Sequence, residues 1–179
     1  DVFRIWNADG AMARQHAGAL DLHYGRGRDE MFDFYPAARA HAPLWVFLHG
    51  GYWQACTKDQ HGQFAEGMRA HGFSVAMLDY PLCPDTPLSD IVLTLRHALQ
   101  FLHAQSTALG FDPARLHLAG HSAGAHLAAL AAADPHGPPN SRRQRPVASS
   151  PPGSASSTTG TPKTSARSPR NIFRRSRAP

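Results

Sequence analysis

A serine between two glycines, in Gly120-His121-Ser122-Ala123-Gly124, is the feature of this 179-residue sequence with the clearest potential for chemistry. The pattern G-x-S-x-G is typical of a sharp turn from a strand into a helix, which exposes the serine hydroxyl as a nucleophile. Small residues are needed two positions before and after the serine because the turn is strained and crowded. We therefore predict that Ser122 is a catalytic nucleophile at a helix N-terminus. The alternative is an ordinary glycine-rich turn.

A second motif, H-G-G-Y-W, occupies residues 49–53 and directly follows an apolar run. Glycines allow backbone N–H groups to point at the oxyanion that forms when a nucleophile adds to a carbonyl group. The predicted oxyanion hole consists of four backbone N–H groups, those of Gly50, Gly51, Tyr52 and Ala123. The H-G-G-Y-W motif lies about 70 residues before the serine in sequence, so the fold must bring the two motifs together.

The residues beside these two motifs are candidates for binding a substrate. Tyr52 and Trp53 follow the glycine pair and could line an aromatic pocket, while His121 directly precedes the nucleophile. For Trp53, packing beneath the loop is an equally good interpretation. Asp79 follows an apolar run, and we expect it to form loop hydrogen bonds rather than to act in catalysis.

The elements that must position these motifs alternate along the chain. Apolar runs predict buried strands, and apolar side chains spaced three to four residues apart predict helices. The predicted strands are residues 44–48, 73–78 and 115–119, with an edge strand at 30–35 that Pro36 ends. The predicted helices are residues 57–70, 88–109 and 123–133, with a short one at 11–20. This alternation favours parallel βαβ units in an α/β fold.

The motifs resemble those of the α/β-hydrolase fold, and within it kynurenine formamidase (arylformamidase) and related esterases. The matching stretches are residues 24–25, 44–53, 79–85 and 118–127. The form H-G-G-Y-W, rather than H-G-G-G, favours the formamidase branch. The resemblance implies a parallel sheet with flanking helices and a serine hydrolase without a cofactor. Its substrate would be a small formamide or ester, such as N-formylkynurenine, which yields kynurenine and formate in tryptophan catabolism. The alternatives are a carboxylesterase of the same fold and a catalytically incomplete remnant.

The resemblance covers residues 20–134, and the family's acid and general base have no counterpart at the matching positions. In that family both lie on later loops, many tens of residues after the nucleophile. After Ser122 the sequence holds one acid, Asp134, and two histidines, His126 and His136. His126 lies one helical turn after the serine and is expected to face the side of the helix. Asp134 and His136 come too early, so we expect a weakly active, truncated hydrolase.

The composition changes at about residue 134. Residues 1–134 hold all 13 acids and nine basic residues, a net charge of −4, whereas residues 135–179 hold nine basic residues and no acid. This Pro-, Ser- and Arg-rich tail has too few apolar residues to offset its ordering entropy, so we expect it to be disordered. We also expect a frameshift or a faulty gene model near residues 134–145. The alternative is a native basic tail that binds polyanions, the sole reason to consider nucleic acid as a partner.

Several classes of site and location are disfavoured by the sequence. Two cysteines, Cys56 and Cys83, do not form a disulfide-dense scaffold and fit a reducing, cytoplasmic compartment. No apolar run approaches 18 residues, so no membrane span is expected. His117 and His121 do not share a helical face, and no metal site is predicted. A small-molecule substrate is the expected partner, and no oligomeric state is assigned.

Overall fold

A computed structural model describes residues 2–133 of the chain. The strands are β1 (Ala19–His23), β2 (Met31–Tyr35), β3 (Ala42–Leu48), β4 (Ser74–Leu78) and β5 (Phe111–Gly120). The helices are α1 (Val2–Arg14), α2 (Gln63–Ala70), α3 (Leu88–Ala104), α4 (Ser106–Leu109) and α5 (Ala123–Ala133), with a 3-10 helix at Lys58–His61. The predicted basic tail at residues 135–179 lies outside the described residues, as do Asp134 and His136.

The five strands form one mixed sheet in the order β1-β2-β4-β3-β5. Strands β3, β4 and β5 are parallel to one another, with Leu48 opposite Leu78 on one side and Gly120 on the other. The predicted parallel βαβ arrangement is therefore confirmed for these three strands. The first two strands instead pair antiparallel, β1 with β2 and β2 with β4.

Two predictions about the N-terminal part of the chain are wrong. The helix expected at residues 11–20 lies earlier, at Val2–Arg14, and β1 begins at Ala19. Strand β2 is not an edge strand, because β1 pairs with its outer side. The alternation was misleading because Asp33, which reads as solvent-facing, is fully buried and forms ion pairs with Lys58 and Arg14.

Two of the predicted helices are interrupted. The helix expected at residues 57–70 is a 3-10 helix followed by α2, with Gly62 between them. A Cβ atom at Gly62 would lie 3.1 Å from Gly10 O and 3.2 Å from Ala13 Cβ, so α1 approaches closely at this point. The helix expected at residues 88–109 breaks at Gln105 into α3 and α4.

None of the helices within residues 2–133 combines the length and the apolar character that crossing a bilayer requires.

Side chains from the central strands form a core on each face of the sheet. Leu44, Val46 and Leu48 of β3 pack on one face with the apolar sides of α3 and α5. Phe47 and Trp45 point to the opposite face, where α2 covers them. Because the three parallel strands end at the same edge of the sheet, the segments after β3, β4 and β5 meet there.

Candidate active site

Ser122 occupies a strained turn between β5 and α5. Its φ angle is +52°, a left-handed conformation that is uncommon for a residue other than glycine, and its side chain is exposed. A Cβ atom at Gly120 would collide with the backbone of Gly124, and one at Gly124 would collide with the Leu48 carbonyl group. The two glycines are therefore required by close backbone contacts, as the motif predicts.

The H-G-G-Y-W segment forms a second left-handed turn at the end of β3. The φ angles are +107° at Gly51, +58° at Tyr52 and +60° at Trp53. The N–H groups of Gln54 and Ala55 both donate to the carbonyl oxygen of Gly51, each at 3.0 Å. We call residues 49–53 the glycine turn. Three consecutive residues of this turn therefore have a left-handed backbone.

The glycine turn lies directly against the serine turn. A Cβ atom at Gly50 would lie 2.7 Å from His121 Nδ1 and 3.3 Å from Ser122 Cβ, so only glycine allows this approach. None of the four N–H groups predicted to form an oxyanion hole donates a hydrogen bond to any of the residues 2–133. These groups are those of Gly50, Gly51, Tyr52 and Ala123. Free donors beside a serine hydroxyl are what a developing oxyanion requires.

Tyr80, whose role the sequence did not reveal, holds the glycine turn by a hydrogen bond and a ring stack. Its hydroxyl group donates to the carbonyl oxygen of His49 at 2.7 Å. Its ring is stacked on the His49 imidazole, with centroids 4.3 Å apart and planes 6° apart. Further along the same segment, the Cys83 N–H group donates to Trp53 O at 2.7 Å. The segment after β4 therefore anchors both ends of the glycine turn.

His49 is a structural residue rather than a general base. It is 1% exposed, and burial lowers its pKa to about 4, so the imidazole is neutral near pH 7. Its Nδ1–H group donates to Gly50 O at 2.7 Å, and its Nε2 atom lies 3.5 Å from Asp79 Oδ1. Both ring nitrogens thus face groups other than Ser122.

Asp79 forms loop contacts, in agreement with its predicted role. Its Oδ1 atom accepts the backbone N–H group of Lys58 at 2.6 Å. Burial raises the pKa of this carboxyl group to about 7, although the Lys58 backbone N–H and ammonium groups act in the opposite direction. Asp79 therefore ties the segment after β4 to the start of the 3-10 helix.

Lys58 lies at the centre of a buried ionic cluster that sequence spacing does not reveal. The side chain is 2% exposed, and its Nζ atom lies 2.6 Å from Asp21, 2.7 Å from Asp59 and 3.2 Å from Asp33. Arg14 of α1 binds the same three carboxylates. The cluster joins α1, β1, β2 and the 3-10 helix next to the glycine turn.

A cleft of about 340 Å³ opens beside Ser122. It is lined by Tyr52, Trp53, Ser122, Ala123 and His126. Trp53 combines the two roles considered for it, because it lines the cleft and also packs against the core on the α3 side. His121 lies outside this lining and instead contacts Trp6, with ring centroids 5.9 Å apart.

His126 contacts a residue of the glycine turn. It lines the cleft together with Ser122, and its ring meets Trp53 edge to face at a centroid distance of 5.3 Å. Trp53 comes from another loop, so helix geometry alone does not predict this contact. Within residues 2–133, the Ser122 hydroxyl group has no hydrogen-bond partner.

Three other features of the described region bear on function. A larger cleft of about 480 Å³ near α1 and β1 is lined by Arg14, Leu20 and Asp59 among others, and by none of the predicted site residues. Residues 2–133 contain no group of three or more histidine, cysteine, aspartate or glutamate side chains placed to hold a metal ion. Cys56 and Cys83 are both free.

The chain is similar in sequence to several known proteins. The model of the BD-FAE family matches residues 32–139. Kynurenine formamidase of Drosophila melanogaster is 37% identical over 111 residues, which cover 60% of this chain and 36% of that protein. Carboxylesterase NlhH of Mycobacterium tuberculosis is 34% identical over 111 residues, which cover 58% of this chain and 34% of that protein.

A solved structure shows the same architecture. Esterase LipW from Mycobacterium marinum superposes with a TM-score of 0.65 at 32% identity, covering 77% of this chain and 46% of that one. This likeness confirms the predicted α/β-hydrolase fold. The chain spans little more than a third of the length of the two curated relatives described above.

Proposed function

The chain belongs to the BD-FAE family, and from this membership and the geometry around Ser122 we propose that it hydrolyses ester or formamide bonds by acyl transfer to that serine. The observation that carries the proposal is the contact between the two strained turns. Ser122, at a φ angle of +52°, stands against a glycine turn whose N–H groups are free within residues 2–133. This arrangement supplies a nucleophile and oxyanion donors at one place.

The proposed reaction has two steps. Ser122 Oγ adds to the substrate carbonyl carbon and loses its proton to a base, while the carbonyl oxygen takes the negative charge. The N–H groups of the glycine turn and of Ala123 stabilise that charge, and the leaving amine or alcohol departs with a proton. Water then attacks the acyl-serine, which releases the acid and restores the hydroxyl group. With a formamide substrate the acyl group is formyl and the product acid is formate.

An aryl formamide is the preferred substrate class. Tyr52 and Trp53 give the cleft aromatic walls next to Ser122, which suit a flat aromatic leaving group. Kynurenine formamidase is among the relatives with the highest identity described above, at 37%. We therefore propose N-formylkynurenine, cleaved to kynurenine and formate in tryptophan catabolism, as the substrate. A cytoplasmic location remains a prediction from the cysteine count.

Within residues 2–133 no side chain forms a hydrogen bond with the Ser122 hydroxyl group, including His126, which lines the same cleft, so no base is oriented on the hydroxyl proton. His49 is held by Gly50 and Asp79, and no carboxylate lines the cleft. Without an oriented base, catalysis falls by orders of magnitude, although an oxyanion hole and binding can retain about 10³–10⁴ over water. We therefore expect slow but Ser122-dependent turnover by the 179-residue chain.

Covalent labelling tests the nucleophile directly. We expect a fluorophosphonate probe to add one adduct to the 179-residue chain, detected by intact mass spectrometry and localised to Ser122 by peptide mapping. The Ser122→Ala variant should lose the adduct, and Ser89→Ala, which changes an exposed serine in the first turn of α3, should keep it. Labelling that persists in Ser122→Ala, or no labelling of the unaltered chain, would contradict the proposal and favour a non-catalytic remnant.

A carboxylesterase is the second candidate, because carboxylesterase NlhH is 34% identical to this chain and esterase LipW is 32% identical to it. The ratio of kcat/KM for an aryl formamide to kcat/KM for p-nitrophenyl acetate distinguishes the two. We expect Ser122-dependent cleavage of the formamide. If turnover is confined to the ester, the carboxylesterase assignment replaces the formamidase assignment.

A further inference from the structure

The imidazole of His126 is the side chain in the cleft that the acyl-transfer chemistry leaves without a role. It is exposed, and its ring meets Trp53 edge to face, with centroids 5.3 Å apart and planes 77° apart. The backbone N–H group of His126 donates to Ser122 O at 3.2 Å, but the ring makes no hydrogen bond within residues 2–133. Because side chains on a helix lean toward its N-terminus, this ring lies over the turn that carries Ser122.

The polar side chains of the residues that line the cleft can each donate a hydrogen bond. They belong to Tyr52, Trp53, Ser122 and His126. Ala123 begins the 11-residue helix α5, whose N-terminus carries positive potential. No carboxylate lines the cleft. A ligand that presents an acceptor oxygen, above all an anionic one, therefore complements it best.

We infer that His126 is a substrate-binding residue that recognises a carboxylate carried by an aromatic leaving group, while the aromatic ring of that group rests against Trp53. This inference rests on the proposed function, in which an aromatic amine or alcohol departs from this cleft. His126 contributes a hydrogen bond to binding and takes no part in forming or breaking the acyl bond. Trp53 holds the imidazole through the edge-to-face contact, which fixes where the carboxylate must lie.

Equilibrium binding of two amines to the 179-residue chain tests this inference. The probes are 2-aminobenzoate and aniline, which share an aromatic amine and differ by one carboxylate. By isothermal titration calorimetry, we expect the unaltered chain to bind 2-aminobenzoate at least threefold more tightly than aniline. We expect His126→Ala to remove this preference while the affinity for aniline stays within twofold. His126→Gln, which keeps an amide donor, should retain part of the preference.

His117 provides a matched control on β5. It is exposed, and its ring meets Phe73 edge to face at 5.4 Å and 80°, so His117→Ala removes the same kind of contact outside the cleft. We expect this variant to keep the full preference. The inference is overturned if the unaltered chain shows no preference, if His126→Ala keeps it, or if His117→Ala loses it equally. Binding requires no turnover, so this outcome is independent of whether the fluorophosphonate probe labels Ser122.

Discussion

The hydrogen bond from Tyr80 to the glycine turn can be tested against a second buried tyrosine. Tyr80 is 2% exposed and donates to His49 O at 2.7 Å, whereas Tyr35 is fully buried and its hydroxyl group has no partner within residues 2–133. In Tyr80→Phe the ring still stacks on His49, but the buried carbonyl oxygen of His49 loses its donor. An unsatisfied buried acceptor costs about 1–3 kcal/mol, so the free energy of unfolding should fall by that amount.

Tyr35→Phe serves as the control because it removes a buried hydroxyl group that makes no hydrogen bond. We expect no loss of stability, or a small gain, since an unpaired polar group leaves the core. Urea unfolding of both variants gives the two free energies, and hydrolysis of p-nitrophenyl acetate should slow in Tyr80→Phe alone. Equal losses of stability in both variants, or an unchanged Tyr80→Phe, would refute the view that this hydrogen bond holds the glycine turn.

Three further predictions concern the serine turn, helix α2 and the carboxyl group of Asp79. Gly124→Ala places a Cβ atom against the Leu48 carbonyl group, so we expect a loss of about 1–3 kcal/mol in urea unfolding and slower fluorophosphonate labelling. Gly67→Ala in α2, where a Cβ atom meets nothing within 4 Å, should instead stabilise the chain by about 0.5–1 kcal/mol. Burial raises the pKa of Asp79 from 3.8 to about 7, so its protonation stabilises the fold fully below pH 4, and this contribution is lost as the pH rises through 7. The free energy of unfolding of Asp79→Asn, relative to that of the unaltered chain, should therefore increase between pH 4 and pH 7 in urea unfolding. A difference that does not change with pH would contradict the raised pKa of Asp79.

The two turns of the site could be predicted because their requirements are local. Gly120, Gly124 and Gly51 are needed by close contacts or by a left-handed backbone, and these needs leave a readable spacing in the sequence. Strands β3 and β4 were predictable for a similar reason, since burial on both faces produces continuous apolar runs. Strand β5 lies at the edge of the described sheet, and its residues after Phe111 are half-buried or exposed.

The ionic cluster and the contact between His126 and Trp53 could not be predicted, because both depend on residues that meet only in the folded chain. Lys58 is surrounded by carboxylates from β1, β2, the 3-10 helix and the segment after β4, which no single spacing connects. The same cluster explains why β2 was mistaken for an edge strand, since Asp33 reads as exposed until its partners are known. For His126, the partner that fixes its ring is Trp53, more than 70 residues earlier.

The contact between Gly50 and His121 has a consequence for the order in which the protein folds. The two residues are separated by about 70 positions, and closing a loop of that length costs about 4 kcal/mol of chain entropy before any contact compensates for it. The serine turn and the glycine turn meet only after β5 has paired with β3 in the register that sets Gly120 opposite Leu48. Long-range parallel pairing of this kind is slow to form. Reactivity at Ser122 therefore reports that β3 and β5 have paired, and during refolding it should recover no earlier than that pairing.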